Sequence, residues 1–259
     1  MNFIRAIQSG YKKITYHNKT HAADLCQTFN YFLIGGQVRE TIKLDNLECI
    51  ASYVAACVHD FEHPGVNNVF LVNKNDLIAV RHNDVAVLEN HHIAATFELM
   101  QSREDFNWAI RYHPNEFKRL RKIMIQTVLA TDMSKHFSDL GVLKSRMSSN
   151  EFEPDSEKDK ESLLNLMFHL ADISNPIKTW ELSQKWTDLL YCEFFAQGDL
   201  EKQHNFPVSQ FMDRQTTNIA KASSGFIDII IKPAYATAIQ VFPKLGFIES
   251  KLDKNKQHW

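Results

Sequence analysis

The chain has 259 residues, 44 % of them hydrophobic and 23 % charged, with a formal net charge of −2. That composition supplies a core for one large domain or two small ones, and it excludes a global basic field of the kind that recruits nucleic acid. Glycine (8) and proline (7) are scarce, and because strands need the turns those residues build, the balance leans toward helices.

The start, Met1-Asn2-Phe3-Ile4-Arg5, meets a charge at once and carries neither an apolar leader nor a lipidation signal. No stretch approaches 18 apolar residues, so no membrane span is expected. Four cysteines (Cys26, Cys49, Cys57, Cys192) lack C-x-x-C spacing. The expectation is a cytoplasmic protein with reduced thiols.

In chain order, apolar residues recur at helical spacing over about 20–34, 45–58, 84–101, 114–130, 158–171, 178–197 and 214–231, with one or two more helices up to 258. Leu47, Ile50, Val54, Cys57 and Val58 form one stripe, Leu163, Leu166, Met167 and Leu170 a second, Trp186, Leu189, Leu190 and Phe194 a third. Ser145–Lys160, Ser-rich and then acidic, reads as a solvated loop. Gly198–Asp213 reads as another, because Gly198 and Pro207 interrupt the pattern. No window alternates with period two for long. The expectation is a single all-α domain over 1–259.

Twelve histidines fall at telling places. His17 and His21 are four apart and share a face on a helical turn. His59-Asp60 follows the apolar run Ala-Ala-Cys-Val, with His63 four residues on, and Asp172 follows the apolar stripe that ends at Leu170. A lone histidine at a helix end is most often structural, and a lone aspartate there is most often solvated. A carboxylate buried behind such runs, however, needs a cation or a partner. Two imidazoles and two carboxylates from three helices suit Zn²⁺ or another transition ion, and Asp60 has a second oxygen to share with a harder ion such as Mg²⁺.

Longer strings carry a family resemblance: Tyr16-His-Asn with His21-Ala-Ala-Asp24, His59-Asp-Phe-Glu-His-Pro-Gly-Val66, Leu88-Glu-Asn-His-His92, Ala130-Thr-Asp-Met-Ser-Lys-His136, Ala171-Asp-Ile-Ser-Asn-Pro176 and Gly225-Phe-Ile-Asp228. In this order they resemble the catalytic domain of class I 3′,5′-cyclic nucleotide phosphodiesterases, an all-α fold of the HD phosphohydrolase type. Thr179-Trp-Glu-Leu-Ser and the Ser-Asn-Pro triplet are closest to the cAMP-preferring branches.

The resemblance implies hydrolysis of a cyclic nucleotide, cAMP favoured and cGMP also possible, to the 5′-monophosphate. It implies Zn²⁺ on His21, His59, Asp60 and Asp172, and Mg²⁺ or Mn²⁺ sharing Asp60. His63, Glu89 and Thr131 are then expected to orient the waters, and His17 to act as general acid toward the leaving 3′-oxygen. The carboxylate that orients His17 is expected, by approximate alignment, at Asp253. Leu190 and Phe226 match the positions that clamp the purine, and Tyr16 and Asn175 match other pocket positions. Two departures stand out. Where the family has a purine-binding glutamine this chain has Ser223, which opens the alternative of an impaired nucleotide-binding relative. The family's first several helices also have no counterpart before Tyr16, so a homo-oligomer or a missing N-terminal segment is an expected complement.

Overall fold

The computed structural model describes residues 2–259, and no strand forms among them. The helices are α1 (Asn2–Gly10), α2 (Lys19–Ile34), α3 (Val38–Thr41), α4 (Asn46–Val58), α5 (Asn68–Asn73), α6 (Leu77–Arg81), α7 (Val87–Ser102), α8 (Pro114–Leu129), α9 (His136–Met147), α10 (Glu157–Asp172), α11 (Trp180–Gln203), α12 (Ile219–Phe226), α13 (Lys232–Val241) and α14 (Phe247–His258).

Local chemistry sets several boundaries. Asp45 opens α4 with a reciprocal cap: Glu48 N donates to Asp45 Oδ1 at 2.9 Å and Asp45 N donates to Glu48 Oε2 at 2.7 Å. Asn18 caps α2 by accepting from Thr20 N at 2.8 Å, and Pro114 begins α8, where its missing N–H has no helical partner to lose. Helix α4 lies between α2 and α8. Its fully buried Ala51, Ala55 and Ala56 leave room for both neighbours to approach. Phe29 and Phe32 of α2, Leu120 and Met124 of α8, Phe168 of α10 and Tyr235 of α13 fill the centre. Each such side chain contributes about 1.5–3 kcal/mol by leaving water. Tyr235 keeps its hydroxyl satisfied by donating to the Leu170 carbonyl at 2.8 Å.

The all-α expectation holds, with three local corrections. Gly198 does not break a helix, since α11 runs on to Gln203. A Cβ at 198 would lie 1.9 Å from the Met212 carbonyl oxygen, so the glycine serves a backbone contact there. Helix α9 covers the first residues of the expected Ser145–Lys160 loop, and α10 covers its last. Finally, the segment read as one helix over 214–231 starts only at Ile219 and passes into a π-helical stretch, Ile227–Ile231. The short helices α1, α5, α6 and α9 escaped the periodicity reading because each buries only one to three side chains, too few repeats to set a phase.

Candidate functional site

Three helix ends deliver the four expected ligands to one point. His21 stands on the first turn of α2, His59 and Asp60 follow α4, and Asp172 ends α10. One ligand atom from each lies within 4.8 Å of all the others. His21 Nε2 is 2.9 Å from Asp172 Oδ1 and 3.4 Å from Asp60 Oδ2. His59 Nε2 is 3.0 Å from Asp60 Oδ2 and 3.3 Å from Asp172 Oδ1.

This donor set fits a cation. His59 Nδ1–H donates to the Ala56 carbonyl at 3.0 Å, which leaves its Nε2 a lone pair facing two carboxylates. Both that nitrogen and Asp60 Oδ2 are buried without a hydrogen-bond partner. Acceptors turned toward acceptors in a buried site repel unless a proton or a metal ion lies between them. Burial opposes the charged forms, yet the mutual attraction of His59 with Asp60 and Asp172 pushes the imidazole well above, and both carboxyls well below, their ordinary ranges.

Asp60 also belongs to a second group, with His63 and His92. His92 Nδ1–H donates to the Phe61 carbonyl at 2.6 Å, so its Nε2 lone pair faces Asp60 Oδ1 at 3.7 Å. Burial holds His92 at about 4 and therefore neutral. His63 Nδ1 accepts from Gly65 N at 3.0 Å, placing the ring proton on Nε2, and burial plus the neighbouring His17 keep it well below the usual histidine range. Glu89, its carboxyl pushed up to about 7 by burial, accepts from Asn68 Nδ2 at 2.9 Å. The Thr131 hydroxyl donates to the Val128 carbonyl at 2.8 Å.

His17 stacks on His63 with ring centroids 4.1 Å apart. Its Nδ1 is hydrogen-bonded to Glu193 Oε1 of α11, which overturns the expectation of Asp253. Asp253 is exposed on α14 and pairs with Lys232 at 2.7 Å. Burial opposes a charge on His17, but the Glu193 bond and the charges of Asp60, Glu193 and Asp172 outweigh it and raise its pKa.

His17, His21, Asp60, His63, Glu89, Thr131 and Asp172 line one cavity of about 500 Å³, as do Tyr16, Asn175, Leu190, Ser223 and Phe226. That is ample for a mononucleotide-sized ligand. Asn175 Nδ2 donates to the Tyr16 hydroxyl at 2.6 Å, while its Oδ1 is buried and unpartnered. The π-helical stretch turns Ile227 and Ile231 into the core just after Phe226 reaches the cavity. Gln197 also lines the cavity, but Asn67 N (2.8 Å) and Glu201 Oε1 (2.8 Å) hold both ends of its amide.

Sequence reasoning assigned no role to His92, Glu193 or Gln197. His92 had a signal, since it ends the string that begins at Leu88. Glu193 and Gln197 had none, being polar residues amid the stripe of α11.

Similarity to known proteins agrees with this geometry. A family model described as 3′5′-cyclic nucleotide phosphodiesterase matches residues 16–252. The dual specificity calcium/calmodulin-dependent 3′,5′-cyclic nucleotide phosphodiesterase 1B of Mus musculus is 40 % identical over 247 residues, covering 94 % of this chain and 44 % of that protein. The corresponding 1C protein of Mus musculus is 36 % identical over 259 residues, covering 99 % of this chain and 35 % of its own length. The chain thus spans less than half the length of these curated relatives. The phosphodiesterase domain of Salpingoeca rosetta rhodopsin phosphodiesterase superposes with a TM-score of 0.90 at 31 % identity, over 100 % of this chain and 78 % of that one. With the six motif strings folded around one cavity and a family model running through nearly all of it, this chain belongs to the class I 3′,5′-cyclic nucleotide phosphodiesterase family.

Proposed function

We propose that this chain is a phosphodiesterase that opens the 3′ ester bond of a cyclic nucleotide, preferably cAMP, to give the 5′-monophosphate. The observation that carries the reading is the convergence of His21, His59, Asp60 and Asp172 within 4.8 Å, beside a histidine already paired with a carboxylate.

His21, His59, Asp60 and Asp172 would hold Zn²⁺, and Asp60 would also serve a Mg²⁺ or Mn²⁺ ion. Bound there, such ions supply a water of lowered pKa and neutralise charge that grows on the phosphate. The chain's own residues do the rest. His63 offers an Nε2–H, His92 an Nε2 lone pair, Glu89 a carboxyl that titrates near neutrality and Thr131 a hydroxyl, so the cavity wall both donates to and accepts from the attacking water. His17, whose affinity for a proton is raised by the bond of its Nδ1–H to Glu193, gives the Nε2 proton to the departing 3′-oxygen. Leu190 and Phe226 sandwich the purine.

The preference for cAMP rests on Asn175. Its amide lines the cavity and can both donate to and accept from the adenine edge. Four free cysteines suit the reducing cytoplasm, and among the described residues no helix is long and apolar enough to cross a membrane.

The test is incubation of purified protein with cAMP or cGMP and Mg²⁺, monitoring the 5′-monophosphates. Turnover of cAMP that disappears in His17→Ala and Asp60→Ala is expected, and turnover no higher than in those variants rejects the proposal. Ser223 favours a second reading, a nucleotide-binding relative with impaired catalysis. Calorimetric binding of cAMP without hydrolysis would select that reading instead.

A further inference from the structure

A second cavity, of about 270 Å³, opens between α9 and α10. Its polar lining includes His136 and Asp139 on α9, and Asn165 and His169 on α10. Spacings of three on one helix and four on the other put each pair on one helix face. His136 and His169 are 5 % and 6 % exposed, and His136 Nδ1 lies 2.9 Å from His169 Nε2. Their far nitrogens, His136 Nε2 and His169 Nδ1, are buried and have no hydrogen-bond partner among the described residues. The backbone of Ile230 lies beside the His136 ring and that of Ala130 beside the His169 ring. The cyclic-nucleotide chemistry has no use for this pair.

Two neutral imidazoles share two protons. If one proton lies between the rings, the donor ring is left with a bare outer nitrogen, buried without a partner, at a cost of about 1–3 kcal/mol. If instead both protons sit outward, two lone pairs face each other across 2.9 Å. A cation between them removes that repulsion. Two nitrogens each bound at roughly 2.0–2.1 Å to one ion of tetrahedral or octahedral geometry stand about 2.9–3.4 Å apart, which matches the spacing seen. Burial lowers the pKa of both rings, that of His169 to about 4, so both lone pairs are available at neutral pH.

We infer that His136 Nδ1 and His169 Nε2 form a separate site for a divalent transition-metal ion, with Asp139 as the third ligand. The Asp139 carboxylate lines the same cavity, is exposed and is held only by a 3.3 Å contact with the Ser138 hydroxyl, which leaves it free to turn toward the pair. Imidazole with one carboxylate selects Zn²⁺ or Co²⁺ over Mg²⁺. An ion here ties α9 to α10 three residues before Asp172, next to the main cavity but outside it.

The test is metal content. Protein saturated with Zn²⁺ and then desalted is expected to hold about one equivalent more as wild type than as His136→Gln, with the main-site equivalents and the circular dichroism spectrum unchanged. Equal content in the two overturns the inference and leaves a hydrogen-bonded core pair. Should His136→Gln fail to fold, wild-type crystals soaked in Zn²⁺ answer the question at the zinc absorption edge. An anomalous peak between His136 and His169 supports the site, whereas a peak at the main site with none at this pair overturns it.

Discussion

Glu193 reaches back 176 residues to hold His17: its Oε1 pairs with the His17 Nδ1, and its Oε2 accepts from the backbone N–H groups of Tyr16 (3.0 Å) and His17 (3.3 Å). One carboxylate on α11 thereby fixes both the tautomer and the position of the histidine that faces the cavity. Because His17's pKa is raised, its protonated form survives to higher pH than that of a free imidazole and is lost as the pH climbs past the raised value. Glu193→Gln removes the stabilising charge and lowers this pKa. The alkaline limb of kcat against pH is therefore expected to move to lower pH, with kcat at pH 8 down about tenfold or more. A limb that stays in place would show that Glu193 does not set the proton affinity of His17.

Ser223 lines the cavity at the position that the resemblance matches to the family's purine-binding glutamine, and Gln197 cannot substitute, since both ends of its amide are occupied. A regained hydrogen bond is worth about 1 kcal/mol, or roughly 1–3 kcal/mol where a buried group was left unpaired. Ser223→Gln is thus expected to lower KM for cAMP about tenfold at unchanged kcat. Steady-state kinetics that return an equal or higher KM would place residue 223 away from the base.

Gly198 lies inside α11, where helix propensity alone favours alanine by about 1 kcal/mol. The Met212 carbonyl oxygen, 1.9 Å from the position a Cβ would take, reverses that sign. Gly198→Ala is expected to destabilise the protein by roughly 1–3 kcal/mol and, by displacing the cavity-lining Phe211 and Met212, to raise KM. Thermal unfolding at or above the wild-type midpoint would contradict this.

Asp159, its side chain 1 % exposed, is gripped by Arg146 through Nε–Oδ1 (2.8 Å) and Nη2–Oδ2 (3.1 Å). The Arg146 hydrogen bonds hold its carboxyl below the usual range. A depressed carboxyl contributes stability above the unfolded pKa, near 4, and loses it as the pH falls through the folded value. Arg146→Met leaves the buried carboxylate with only the Glu153 N–H (3.0 Å) and the Ser156 hydroxyl (3.1 Å), so urea unfolding at pH 7 is expected to show a loss of roughly 1–3 kcal/mol. The difference from wild type should shrink below about pH 4. A constant difference across that range would mean that packing, not charge, accounts for it.

The residues that meet at the candidate metal site were legible in the sequence because each sits in a short string at a helix end, where composition alone says that an ionisable group follows a buried run. His21, His59, Asp60 and Asp172 needed only that the helices converge, and Leu190 and Phe226 both line the resulting cavity. Other features were decided by partners distant along the chain. Glu193 rather than Asp253 orients His17, because the segment before α2 lies against α11 while α14 turns Asp253 outward to Lys232. Gly198 is a packing glycine because Met212 crosses α11 there, and His136 meets His169 only because α9 folds back on α10. Periodicity records which face of a helix is buried, since that depends on neighbours three and four residues away. It carries no record of which other helix covers that face, because that pairing is settled by the closing of the whole core.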